Sequence, residues 1–365
     1  MRWIDKYRRI EKYRRMVNAI IVSIFILVII IIGRRMENLT NRKCKPDTFT
    51  GIAMGTNIKK TIYSESAKQN ETVNKAVDQA LLELDNQISV RLNDSEISKC
   101  NQNHAVDGVY KLSDNLLEAI RQELQISKES GGAFSPCIRP ITNLWGIEDG
   151  KTEIPEMNRI QNTLQYIDAE NIEVTEEGII FREDGMSIDF GATGKGIACD
   201  ELVKLLADYD VQGAILSIGG SIAVYGNKGD GKAWHVGIQD PRGDEGEVLG
   251  VLDIKENTMI STSGDYEKYF EVDGKRYHHI FDPSTGYPVD NGLISVTIIS
   301  DSGFLSDVLS TTCFVLGLDK GMKYAEDKGA EAVFVTADKE VYVTKGLQKT
   351  FHLQNKSYTL ENEKK

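Results

Sequence analysis

The chain has 365 residues and a formal net charge of −12, and because its first 33 residues are basic the remainder stands at −17. Such a balance argues against a nucleic-acid partner, and it repels an anionic ligand unless a cation stands in the site, a first pointer to a metal. Five cysteines (Cys44, Cys100, Cys137, Cys199, Cys313) form no CxxC pair and leave one over, so neither a disulfide framework nor a thiolate metal centre follows.

Residues 1–16 are a basic segment with Lys6, Arg8, Arg9, Lys12, Arg14 and Arg15, and residues 17–33 are almost unbroken hydrocarbon. At about 1.5 Å per residue the apolar run reaches roughly 25 Å, enough to span with slight thinning of the bilayer. It is longer than the apolar part of a cleaved leader, and no small-x-small site follows, so it reads as an uncleaved anchor. The more basic end stays in the cytoplasm. Everything beyond a polar tether at 34–50 is then expected outside a bacterial inner membrane, crossed once.

Residues 51–352 read as one large domain or two intimately joined subdomains, and 353–365 as a polar tail. A strand is expected after the MGT at 54–56, then a helix at 71–87 whose apolar stripe includes Val73, Val77, Leu81 and Leu84. Residues 89–103 read as a polar loop carrying DSEIS. A second helix at 113–130 is closed by Gly131 and Gly132. In AFSPCIRPITNLWG at 133–146, two prolines make a continuous helix improbable in the first half. Residues 147–165 read as a surface excursion.

The centre of the chain is SIDFGATGKGIACD at 187–200: an apolar run, an acid at Asp189, the glycines Gly191, Gly194 and Gly196, then a helical pattern. Glycines let a backbone approach a ligand, and a helix N-terminus offers free N–H groups to an anion. The spacing departs from both the P-loop and the dinucleotide fingerprint, so alone it fits a tight strand-to-helix turn as well as a phosphate site.

Two strands meet at Gly219-Gly220, and further strands are expected near 234–238, 248–254 and 259–262, a mixture that indicates an α+β or mixed α/β fold. His278 and His279 precede an Asp-Pro-Ser-Thr-Gly turn. In a strand their rings point to opposite faces, so at most one serves a given cleft, as a base or as a ring satisfied by a turn carboxylate. Asp307 and Thr311 stand four apart on one face of a helix. They are either hard oxygen ligands of the kind Mg²⁺ takes or a solvated face.

Nine stretches occur in order: MGT at 54–56, DSEIS at 94–98, NLWG at 143–146, DFGATGKG at 189–196, IGG at 218–220, VGIQDPR at 236–242, STSG at 261–264, HIFDPSTG at 279–286 and DVLST at 307–311. Together they resemble the ApbE family of flavin transferases, which move FMN from FAD onto a Thr or Ser of another protein. The resemblance implies an ApbE-like fold with FAD in a cleft between the subdomains. It implies that Met54, Ala133, Phe134, Ser135, Asp189, Lys195 and Phe281 contact FAD. It assigns the metal, Mg²⁺, to Asp307, Thr311 and the Ala192 carbonyl, and the reactive histidine to His279. Arg91, Ser135 and Ser310 depart from common family choices. The partner implied is a membrane-associated redox flavoprotein with a Thr or Ser acceptor. Alternatives on the same residues are an FAD pyrophosphatase giving FMN and AMP, and an extracytoplasmic FAD-binding protein.

Overall fold

The computed structural model describes residues 45–228, 232–244, 246–254 and 257–361. The expected anchor at 17–33 and most of the tether lie outside them. Among the described residues no helix is long and apolar enough to cross a membrane.

Strands β1 (Lys45–Ala53) and β2 (Thr56–Ser64) form a hairpin in which Ala53 faces Thr56 across Met54 and Gly55. Residues 45–50, expected in the tether, are therefore strand. Both turn residues hold positive φ, 50° and 70°, a region glycine enters freely and methionine only under strain. Helix α1 (Ala67–Ile88) starts where Ser66 accepts the Gln69 N–H and buries the expected stripe. The loop predicted at 89–103 instead contains α2 (Glu96–Asn103), capped by Ser95 and seated on Ile97 and Cys100. Two apolar anchors in eight residues are too few to show a period.

β3 (Val109–Tyr110) and α3 (Asp114–Glu129) follow, and Gly131 and Gly132 close α3 in left-handed conformations. Pro140 lies in the first turn of α4 (Arg139–Trp145), where it removes no helical bond. The excursion holds a short α5 (Met157–Thr163), and β4 (Ile172–Val174) and β5 (Ile179–Phe181) lead toward α6 (Gly194–Ala207). Next come β6 (Val211–Ile218), β7 (Ser221–Gly226), β8 (Trp234–Gln239), β9 (Val248–Ile254) and β10 (Thr258–Gly264). The hairpin of β11 (Tyr269–Val272) and β12 (Lys275–His278) precedes β13 (Leu293–Ser300) and α7 (Gly303–Leu316). The chain closes with α8 (Leu318–Asp327), β14 (Glu331–Thr336), β15 (Glu340–Val343), β16 (Phe351–Leu353) and β17 (Thr359–Glu361).

One sheet runs β1-β2-β6-β7-β10-β13-β14-β15-β17, antiparallel at every pairing except β15 with β17. Alternation sends neighbouring side chains to opposite layers. Ala214, Leu216 and Ala223 meet a helical layer that includes Val77, Leu81 and Leu202, and Val296, Ile298 and Phe334 meet Val308, Leu309 and Phe314 of α7. Ile260, Val333, Val335 and Val341 face the other way, onto Val236, Leu249 and Leu252 of the small sheet β16-β9-β8. The fold is thus α+β. The large sheet runs unbroken from β1 to β17, and residues 45–361 form one compact body. The expected tail is also tied in: Asp240 accepts from the Tyr358 hydroxyl at 2.7 Å and from the Asn355 amide.

Candidate active site

A cleft of about 500 Å³ brings together every site residue named from the sequence. Met54, Ala133, Phe134, Ser135, Asp189, Lys195 and Phe281 line it, and so do Ala192, His279, Asp307 and Thr311.

The helical side is built on a close crossing. A Cβ on Gly196 would lie 2.1 Å from the Gly303 carbonyl oxygen, and one on Gly303 would lie 2.2 Å from that of Gly196. Only glycine at both positions lets α6 and α7 touch. Gly196 thus serves helix packing, where the sequence suggests close approach to a ligand. The contact aims the Gly196 N–H at Asp307 Oδ2, 2.8 Å away; Ala192 precedes the N-cap Thr193, so its carbonyl lies outside the helical ladder. Asp200 on α6 completes the clasp by accepting the N–H groups of Gly303 (2.6 Å) and Phe304 (2.8 Å) at the start of α7.

Asp307 is 3% exposed. Its Oδ1 takes the Ser221 hydroxyl at 3.2 Å and lies 3.8 Å from Lys195 Nζ. Burial raises its carboxyl above the usual range, opposed chiefly by Lys195. Lys195 is in turn pushed up by Asp307. One turn along α7, the Thr311 hydroxyl is 3.1 Å from Ser263 Oγ, which also sits 2.8 Å from Ser310 Oγ. Ser310 donates to the Asp307 carbonyl. No cluster of three or more His, Cys, Asp or Glu suited to a metal occurs among the described residues. The donors at hand are one carboxylate, a hydroxyl and a carbonyl. These hard oxygens suit Mg²⁺, which keeps several waters and few protein ligands.

Asp189 accepts the Gly191 N–H at 2.7 Å and stands 3.4 Å from Arg139; burial raises its carboxyl. Ser135 donates to the Ile167 carbonyl at 2.8 Å. Arg91 also lines the cleft, its guanidinium over the Met54–Gly55 turn, where a Cβ on Gly55 would meet it.

The two histidines separate as strand geometry requires. His278 is buried, with Nε2 donating to the Val289 carbonyl at 2.9 Å and Nδ1 accepting the Ile280 N–H at 3.2 Å. His279 lines the cleft with its Nδ1 buried and unpartnered. Burial pushes it down to about 4, so the ring is neutral near pH 7 and able to take a proton. Phe281 packs against Trp145, whose indole N–H donates to the Gly286 carbonyl at 2.8 Å. The NLWG and HIFDPSTG stretches therefore brace each other. The turn itself is held by Asp282, which accepts the Ser284 N–H and hydroxyl.

Five charged cleft residues, Asp85, Arg139, Glu148, Glu267 and Lys268, escape the sequence reading. Arg139 lies inside a motif that could have flagged it. Glu148 and Lys268 pair across 120 residues, and nothing local announces that.

Fold and cleft together define an α+β protein with a deep site of small-molecule size. The chain belongs to the ApbE family, whose model matches residues 54–334. It is 29% identical over 329 residues to the FAD:protein FMN transferase of Treponema pallidum, covering 85% of this chain and 90% of that one. It is 31% identical over 282 residues to the FAD:protein FMN transferase of Vibrio cholerae, covering 76% and 83%. The crystal structure of the apo flavinyl transferase ApbE of Pseudomonas stutzeri matches with a TM-score of 0.75 at 28% identity, covering 86% of this chain and 98% of that one.

Proposed function

We propose that this protein is an FAD:protein FMN transferase, moving FMN from FAD to a Thr or Ser hydroxyl of a target flavoprotein and releasing AMP. The carrying observation is the meeting, in one cleft, of Asp307 beside Lys195 with an uncharged His279. The relatives' transferase activity supports the same reading. Met54, Ala133, Phe134, Ser135, Asp189 and Phe281 hold the dinucleotide. Lys195 supplies positive charge to the diphosphate. Mg²⁺ bound by Asp307, Thr311 and the Ala192 carbonyl would offset the charge that builds on the diphosphate oxygens. His279 takes the acceptor's hydroxyl proton as that oxygen bonds to the FMN phosphorus. The bond from this phosphorus to the bridging oxygen breaks, and AMP leaves with that oxygen and its electron pair. Positioning and charge compensation do most of the work in such a transfer.

We also place the cleft on the outer face of a bacterial cytoplasmic membrane, anchored through 17–33, where it meets membrane-attached redox acceptors. The test is the full chain in detergent with FAD, Mg²⁺ and a candidate acceptor domain, followed by intact mass and nucleotide analysis. One FMN gained per acceptor, matched by AMP, is the expected result. AMP with free FMN and no label across a panel of acceptors makes it a pyrophosphatase, and FAD returned intact makes it a binding protein.

A further inference from the structure

Lys268 and His279 are cross-strand neighbours. Tyr269 pairs with His278 in the β11–β12 hairpin, and the His279 N–H donates to the Lys268 carbonyl at 3.1 Å, which extends the ladder by one pair. Residues directly opposite in such a ladder project to the same face, with Cβ atoms about 5 Å apart. Both side chains do line the cleft. Lys268 Nζ binds Glu148 Oε1 at 2.7 Å, and Glu148 lines the cleft too. A carboxylate held by the lysine thus shares the cleft, and a charge interaction, with a histidine whose Nδ1 is buried without a partner.

Building on the transferase reading, we propose that Glu148 is a positioning residue for His279: held by Lys268, its carboxylate stabilises the imidazolium formed when His279 takes the acceptor's proton. A neutral base suits the start of the reaction, but the proton it receives must be accommodated in a desolvated place. Glu148 supplies the compensating charge, and Lys268 sets how much of it His279 feels. The charged or titratable groups facing His279 are Glu148, Lys268, His278 and Lys195; of these only Glu148 favours its protonated form. Glu148 itself faces Lys268, His279 and Arg139.

The experiment is an NMR titration of His279 in the ligand-free full chain, comparing wild type with Glu148→Gln and Lys268→Met. Removing the carboxylate is expected to move the His279 midpoint down, and removing the lysine to move it up, each by about one pH unit. Opposite shifts in two folded variants cannot come from general loosening. Coincident midpoints, or shifts of the same sign, overturn the proposal, and either variant alone tests its own direction if the other does not fold. This titration does not depend on turnover. A second arm measures FMN transfer: Glu148→Gln is expected to lower kcat roughly tenfold with KM for FAD little changed, and an unchanged kcat also overturns it. If wild type itself transfers no FMN, the transferase reading fails instead, and the titration still decides whether Glu148 and Lys268 control the ring.

Discussion

On the helical side of the cleft, Asp307 is almost wholly buried yet is met by the Gly196 N–H, the Ser221 hydroxyl and Lys195. On the hairpin side, His279 buries its Nδ1 with no partner. The first arrangement offsets part of the cost of burying a carboxylate. The second leaves a ring nitrogen without a hydrogen-bond partner, so a charge gained during turnover depends on the nearby carboxylate. Part of this difference comes from the backbone: Asp307 rides on a helix clamped by glycines and by Asp200, whereas His279 sits just past a two-stranded hairpin, where the next residue along can face a different environment. The neighbour His278 shows the alternative, a ring used up by Val289 and Ile280.

The sharpest way to break this comparison is to remove the buried carboxylate. Asp307→Ala is expected to leave the fold intact and to cut Mg²⁺-dependent transfer roughly 10³-fold. Mg²⁺ titrations of FAD turnover check it, and undiminished turnover would take Asp307 out of the metal's reach. Next in size is the clamp. Gly196→Ala puts a methyl against the Gly303 carbonyl with no flexible side chain to yield, so stability should fall by about 3 kcal/mol, measured by denaturant unfolding. A loss of a few tenths would show that α6 and α7 can part cheaply and that the Asp307 geometry does not depend on their contact. On the hairpin side, His279→Ala is expected to slow transfer about 10²-fold while FAD affinity changes little. Equal losses in both would make His279 a binding residue.

Local chemistry made parts of this molecule legible in advance. The Gly219-Gly220 turn, the 282–286 turn and the i,i+4 pair of Asp307 and Thr311 rest on neighbours in sequence, and the structure has them where the pattern puts them. Residues whose placement depends on distant partners were not legible. The last strand is secured through Asp240 and Tyr358, 118 residues apart. Ser95 caps a helix too short to show its period. In sequence Gly196 reads as a ligand-approach glycine, because its true neighbour, Gly303, is recognisable only once two helices cross. In the sequence Met54 is marked by motif resemblance alone. Its strained φ, which gives an independent physical reason to single it out, is visible only in the fold.

The smallest expected effect concerns stability against pH, and it isolates the unpartnered ring on the hairpin side. A histidine ordinarily titrates near 6.5, and His279 is pushed down to about 4. Between those values the unfolded chain binds a proton that the folded chain refuses, so this group's contribution to stability falls as pH drops from 6.5 toward 4 and is constant above. The raised carboxyls of Asp189, Asp307 and Glu267 act in the opposite sense, because the folded state takes their protons first. The whole-protein curve therefore mixes signs, and a difference between two proteins is the cleaner quantity. His279→Asn should gain on wild type by about 1–2 kcal/mol as pH is lowered through that window, read as a narrowing or reversal of the Tm gap measured at pH 7. A gap that stays constant would mean that His279 accepts its proton in the folded state as readily as in water. The ring would then need no compensating carboxylate, and the contrast between the two sides of the cleft would reduce to one of geometry.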